Sequence, residues 1–360
     1  VSANPQARDP DYWRRFAAIA AEGDDCPLYA ALARRIAEDG DIQALAALAQ
    51  PGQPPSNLLF AAVHFLLLGG ARHSLARFYP HLTQEPTPPV DETAWADFRS
   101  VLRQEEQAIA ALVAGRVTNT NEVLRCTYLR CGYATISARS DAPLSLIELG
   151  PSAGLNLNWD RYGYLYRRNN GLAVHAGPPH AALRLDAEVR GRRGAPAPTM
   201  APPVARRIGL ELNPVDLTAE PDRRWLMALV WPGRPERIAR LQAALAIASD
   251  YPPPIRAGDA LAHLADELAA APGDSARVVA HTLVTYQWTV AMRARLEAIL
   301  MEAGRERPVW RLSHDLGDGE RGGEAMALRL RRYDGGAVAE ETIATAHHHG
   351  AWIDWAEGPA

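Results

Sequence analysis

The chain has 360 residues, 48% of them hydrophobic and 22% charged, a composition long and apolar enough for two domains with their own cores. Its net charge is −4, which removes the global electrostatic case for a nucleic-acid partner. All 38 basic residues are arginine, so Schiff-base lysine chemistry, lysine-bearing phosphate loops and lysine-dependent kinases are excluded.

The first 140 residues or so read as helices. Asp11 to Ala21 places Trp13, Phe16, Ala17 and Ala20 at helical spacing, and Leu28 to Ala37 repeats the pattern. Leu58 to Leu68 follows Pro54 and Pro55, with Ser56 and Asn57 as candidate N-caps. It is apolar all round, the mark of a buried central helix. It is also too short and too interrupted by His64 to span a bilayer. Glu92 to Ala114 is a long amphipathic stretch after the Pro86 to Pro89 loop. A further helix is expected from about Asn121 to Ser140, with Asn119 and Glu122 at capping-box spacing.

The pattern then changes to alternating strands and helices. Leu144 to Leu149, Ile208 to Leu212, Pro254 to Arg256, Arg277 to Leu283 and Val309 to Ser313 read as strands. Helices are expected over Leu155 to Leu165, Ala219 to Ser249 with a break near Trp231-Pro232, Leu261 to Ala271 and Val290 to Ala303. Strands joined by helix-length crossovers imply a mostly parallel sheet with helices on both faces. Asp334-Gly335-Gly336 predicts a terminal hairpin, adding antiparallel pairing at one edge. The expected division is a helical cap or substrate domain at 1–140 and an α/β domain at 141–360. The α/β domain carries an insertion at about 167–205, rich in Gly, Pro and Arg, with a small hairpin. Inserted loops of that length are often lids.

Cys26, Cys126 and Cys131 have no C-x-x-C spacing, which fits a reducing compartment and suggests no thiolate zinc site. Val1 to Tyr12 lacks a basic start followed by an apolar core, so a cytoplasmic protein without membrane contact is expected. Short basic clusters at Arg190, Arg192 and Arg193, and at Arg329, Arg331 and Arg332, read as solvated faces. His347, His348 and His349 offer two ligands on one extended face but no third from elsewhere, so no metal site is assigned.

Chemistry concentrates where strands end. Glu148-Leu149-Gly150-Pro151-Ser152-Ala153-Gly154-Leu155-Asn156 is a strand, a small-residue turn and the start of a helix. Small residues there let backbone N–H groups approach a ligand; a tight turn that binds nothing has the same needs. Glu211 closes the second strand, where a carboxylate can accept from ribose hydroxyls. Asp259 closes the third, within reach of an adenine amine. His281 ends the next strand, with Tyr286 and Trp288 just beyond, and reads either as a site residue or as a packed polar one. His314 and Asp315 can act together only in a loop, because neighbours on a strand face opposite ways.

This series resembles the class I S-adenosylmethionine-dependent methyltransferases, over roughly residues 144 to 345. Glu148, Gly150, Ser152 and Gly154 take the positions of that family's acidic and alternating glycine motif, with Ser152 for the middle glycine. Glu211 takes the ribose-binding and Asp259 the adenine-side position. The resemblance implies a Rossmann-like domain with S-adenosylmethionine as cofactor, and a small-molecule methyl acceptor. Asn121 and Asn156 would add to the cofactor site, and His281 or Tyr286 would be the base where the acceptor needs one. The helical domain would select the acceptor. A non-enzymatic ligand-binding or interaction protein on the same fold is the alternative.

A second resemblance spans nearly the whole chain. Thr120-Asn121-Glu122-Val123, Glu148 to Leu157, Asp160-Arg161-Tyr162, Asn213-Pro214-Val215-Asp216, Arg224-Trp225-Leu226 and His349-Gly350 with Trp352 are similar to the domain-of-unknown-function 2332 family. That similarity implies no particular activity.

Overall fold

Prolines and capping carboxylates set where the helices of the first half begin. The computed structural model describes residues 4–22, 26–191, 194, 200–316 and 325–356. Helix α1 (Pro10–Ala21) starts on Asp9, which accepts from Asp11 N, and has proline in its first turn. Helices α2 (Pro27–Ile36) and α3 (Gly40–Ala46) follow, the second capped by Asp39. Helix α4 (Pro55–Leu68) is buried nearly all round, as its composition predicts. It begins earlier than expected: Pro55 opens its first turn, which Pro can do because the N–H it lacks is unpaired there anyway. Ser56 therefore lies inside the helix, 2.7 Å from the Tyr12 hydroxyl. The long amphipathic stretch is two helices, α5 (Glu92–Gln104) and α6 (Glu106–Gly115), parted at Glu105. A 3-10 turn, Val123–Arg125, carries Glu122 as its cap and leads into α7 (Cys126–Ser140).

The strands are β1 (Leu144–Leu149), β2 (Gly163–Arg168), β3 (Ala173–Ala176), β4 (Arg184–Arg190) and β5 (Val204–Glu211). After α8 (Glu220–Ala228) and α9 (Pro235–Asp250) come β6 (Ile255–Ala257), α10 (Ala260–Ala269), β7 (Ala276–Thr282), α11 (Val290–Glu306) and β8 (Val309–His314). The last strands are β9 (Ala325–Asp334), β10 (Ala337–His347) and β11 (Trp352–Trp355). All join one 11-stranded sheet, ordered β3-β2-β4-β11-β10-β9-β8-β7-β1-β5-β6. It is parallel from β8 to β6, and β2–β4 and β4–β11 are parallel as well.

Three expectations change. No helix spans 155–165: Leu155–Arg161 is a 3-10 run with a non-helical Asn158, and a strand follows. Tyr162, Tyr164 and Tyr166 are buried aromatics at alternate positions, a period of two that suits a strand. The hairpin β9–β10 is not at an edge, because β11 pairs with β10 and with β4 and carries the sheet onward. The insertion supplies β3 and β4, so much of it is sheet; Arg192, Arg193 and 195–199 lie outside the described residues. No crossover helix is needed after β8, since β9 runs antiparallel to it.

The chain forms two compact units, residues 1–120 with 216–242, and residues 121–215 with 243–360. In the first, Phe60 stacks on Tyr29 at 4.2 Å and meets Trp13 edge-on, while Trp225, Ala228 and Leu229 of the later segment complete the core. In the second, Ile147, Leu149, Val279 and Val309 pack with Leu261 and Leu264 of α10 and Leu296 and Leu300 of α11. Helix α7 lies against the opposite face, where Gly132 abuts Leu312 so closely that a Cβ would fall 2.6 Å from its Cδ2. No helix among the described residues is long and apolar enough to cross a membrane.

Candidate functional site

Strand β1 is buried along its whole length between β5 and β7, both parallel to it, so its carboxyl end opens between theirs. The turn that follows takes left-handed backbone at Gly150 (φ 62°), Ser152 (φ 57°) and Gly154 (φ 73°). Glycine adopts such angles without cost, whereas Ser152 holds the strained member of the three. Both glycines also face protein atoms. A Cβ on Gly150 would come 2.8 Å from Val284 Cγ2, and one on Gly154 would come 2.9 Å from Pro253 Cβ.

Glu211, at the end of β5, ties the turn to the neighbouring strand. Its Oε2 accepts from Ser152 N at 2.8 Å and its Oε1 from Asn213 N at 3.0 Å. Burial raises its pKa, and these backbone donors pull the other way. Asn121 reaches the same turn: its Oδ1 accepts from Leu155 N at 3.0 Å. Glu148 is buried on the α7 side, with Asn156 Nδ2 at 3.5 Å from its Oε1. Loss of solvent raises the Glu148 pKa to about 7, against the pull of Asn156 and Arg125. The Cys126 thiol donates to Asn156 Oδ1 at 3.4 Å, and its burial near Glu148 keeps it protonated. Glu211 with Ser152, Asn121 with Leu155, and Asn156 with Glu148 thus make three separate hydrogen bonds about the same turn. Asp259 stands apart as the exposed N-cap of α10, accepting from Leu261 N at 2.9 Å.

His281 is the last but one residue of β7, on the other face, with a fully buried ring. Its Nδ1 lies 3.1 Å from Asp315 Oδ2, and Arg311 Nε donates to its Nε2 at 3.0 Å. Both ring nitrogens are therefore engaged. Burial lowers its pKa despite Asp315, so the ring is neutral at neutral pH. Asp315 also accepts from Thr285 N and Oγ1, Val284 N and Tyr286 N. Burial alone would raise its pKa, but the bond from His281 first, and those from Thr285 next, hold it at about 2. Tyr286 is half exposed, and burial of the rest raises its pKa. His314 points away from Asp315 to Tyr128, ring centroids 4.3 Å apart, as alternation along a strand requires.

Sequence reasoning missed Arg125, Cys126 and the pairing of His281 with Asp315. The last follows from register: His281 pairs with Ser313, so Asp315 lies two residues on, on the same face. Two clefts, of about 320 Å³ beside Arg161 and Tyr251 and about 370 Å³ beside Asp354 and Trp355, are lined by none of Glu148, Glu211 and His281.

A family model described as "Uncharacterized protein conserved in bacteria (DUF2332)" matches residues 11–355. No curated protein and no solved structure matches the chain.

Proposed function

We propose that this chain, which belongs to the DUF2332 family of uncharacterised proteins conserved in bacteria, binds S-adenosylmethionine on a Rossmann-like half and transfers its methyl group to a small molecule. One observation carries the reading. The strand order reverses at β1, the kind of point where open sheets bind ligands beyond their carboxyl ends, and Glu148, Gly150, Ser152, Gly154 and Glu211 stand there.

The acceptor set suits an adenosine moiety. Glu211 uses one lone pair on each oxygen for backbone N–H groups, and a carboxylate has capacity for two further donors such as ribose hydroxyls. Asp259 keeps Oδ2 for an exocyclic amine. When bound, S-adenosylmethionine supplies a methyl group activated by its sulfonium. The chain's own part is orientation and exclusion of water. Tyr286, half exposed in the 3-10 turn Thr285–Gln287 that follows β7, would orient an acceptor hydroxyl or amine. His281 could take a proton only by giving up the Arg311 bond at Nε2.

The packing of Val284 over Gly150 and of Pro253 over Gly154 favours a second reading, a non-enzymatic binding or interaction protein whose turn needs glycine for its own structure. Calorimetric titration with S-adenosylmethionine and its demethylated product separates the two. Binding should weaken in Glu211→Ala by ~1.5–3 kcal/mol, the worth of a charge-assisted partner. Absence of binding by the wild type at millimolar ligand sinks the first reading.

A further inference from the structure

At the end of β10 three successive histidines turn their rings to one place. The ligating nitrogens of His347, His348 and His349 all lie within 4.8 Å of one another, and the three residues are half buried. Ring centroids are 4.4 Å apart for His347–His348, 4.0 Å for His348–His349 and 5.7 Å for His347–His349. Consecutive residues of a strand alternate faces, so extended backbone would never bring three together. The turn does it.

That turn is held from outside. Gly350 takes φ +85° and lies so close to the Leu124 carbonyl that a Cβ would sit 2.2 Å from its oxygen. Thr127 Oγ1 donates to Gly350 O at 2.9 Å, and Arg125 Nε donates to His348 O at 3.1 Å. The backbone beneath the rings is thus fixed by the start of α7, and the rings need only rotate to converge.

We propose that His347, His348 and His349 bind one divalent first-row transition-metal ion. Imidazole nitrogens suit zinc, copper or nickel, whereas magnesium and calcium demand oxygen donors that this cluster lacks. Zinc–nitrogen bonds of about 2.0–2.1 Å put tetrahedral ligands about 3.3 Å apart, so the rings close in by side-chain rotation. His347 Nδ1 now accepts from His349 N at 3.0 Å, and metal binding exchanges that bond or turns the ring to free a lone pair. Three protein nitrogens leave at least one position for water or a donor atom of another molecule. This inference is independent of the ligand proposed above.

The test is metal titration of the full chain after chelation and dialysis, with zinc read by competition against a chromophoric chelator and cobalt by its visible d–d bands. One ion per chain is expected. Glutamine replacing His347, His348 or His349 singly should weaken zinc binding at least about 10-fold, and replacing all three should abolish it and the cobalt bands. His175→Gln, at an exposed histidine elsewhere, should change neither. Zinc should raise the thermal midpoint of the wild type but not of the triple variant. Equal affinity in the wild type and all three single variants overturns the proposal even if the triple variant fails to fold. So does absence of saturable wild-type binding below about 1 mM.

Discussion

Glu148 shows how far a single buried carboxyl can set a pH response. Its folded pKa is near 7, raised by burial, against an ordinary value of 4.5. The folded state therefore holds a proton that the unfolded chain releases between those values. Stability from this group is fully present below pH 4.5 and is lost as pH rises toward 7, by on the order of 3 kcal/mol. Glu148→Gln keeps the shape without the charge. The difference in unfolding free energy, variant minus wild type, should grow in the variant's favour from pH 5 to pH 8 in paired urea titrations. A difference that stays flat over that range would mean that Glu148 is ionised in the folded protein throughout. Strong motif residues such as Glu148 and Glu211 were legible in the sequence by type and position. Asn121 and Asn156 could be picked out beside them, but not the bonds they make, because Asn121 meets Leu155 and Asn156 meets Glu148 only after the turn has folded.

At the scale of elements, close approaches by glycine set how the helices lie on the sheet. Gly304, near the end of α11, sits where a Cβ would be 2.8 Å from Tyr333 Cβ and 3.0 Å from that residue's backbone carbonyl. Its own carbonyl accepts from Gly335 N in the β9–β10 turn at 3.0 Å. In an isolated helix Gly304→Ala would gain about 1 kcal/mol. Here the obstruction is backbone, which cannot swing aside, so the substitution should instead destabilise by about 1–3 kcal/mol. Chemical denaturation measures the sign, and a stabilised variant would refute the close packing. Asp334-Gly335-Gly336 was legible as a hairpin turn, and β1, β7 and β8 as short apolar runs bounded by turn residues or proline. The 3-10 run after Gly154 was not, since apolar spacing at Leu155 and Leu157 suits a helix as well. The alternate tyrosines at 162, 164 and 166 were the contrary signal. β11 escaped notice because what makes Trp352–Trp355 a strand is its pairing with β10 and with the distant β4.

For the whole molecule, the compact units do not follow the chain's order. The helical one draws on 216–242, and Trp225, Ala228 and Leu229 lie in its core. His64, buried in α4, has its Nδ1 3.0 Å from Ala228 O, and Trp225 Nε1 donates to Val117 O at 2.9 Å. The pattern of predicted elements changes near residue 140, which is why a boundary is expected there. Packing across a hundred residues of sequence leaves no local trace. A fragment of residues 1–140 should therefore fail to fold cooperatively, because removing even one buried Trp costs about 3–5 kcal/mol, a large share of a domain's stability. Circular dichroism with thermal melting tests this, and a sharp, reversible transition in the fragment would contradict the assignment of 216–242 to that core.

The interleaving also has a consequence in time. A chain emerging from the ribosome delivers residue 120 and then another 122 residues before position 242, the end of the segment that completes the first unit. At synthesis rates of roughly 5–20 residues per second, that interval is about 6–25 s. Throughout it Phe16 and Tyr29 await Trp231, and Phe65 awaits Trp225; apolar surface of that kind is what holding chaperones recognise. Slow codons between positions 120 and 242 would lengthen the exposure, and slow codons after 242 would not.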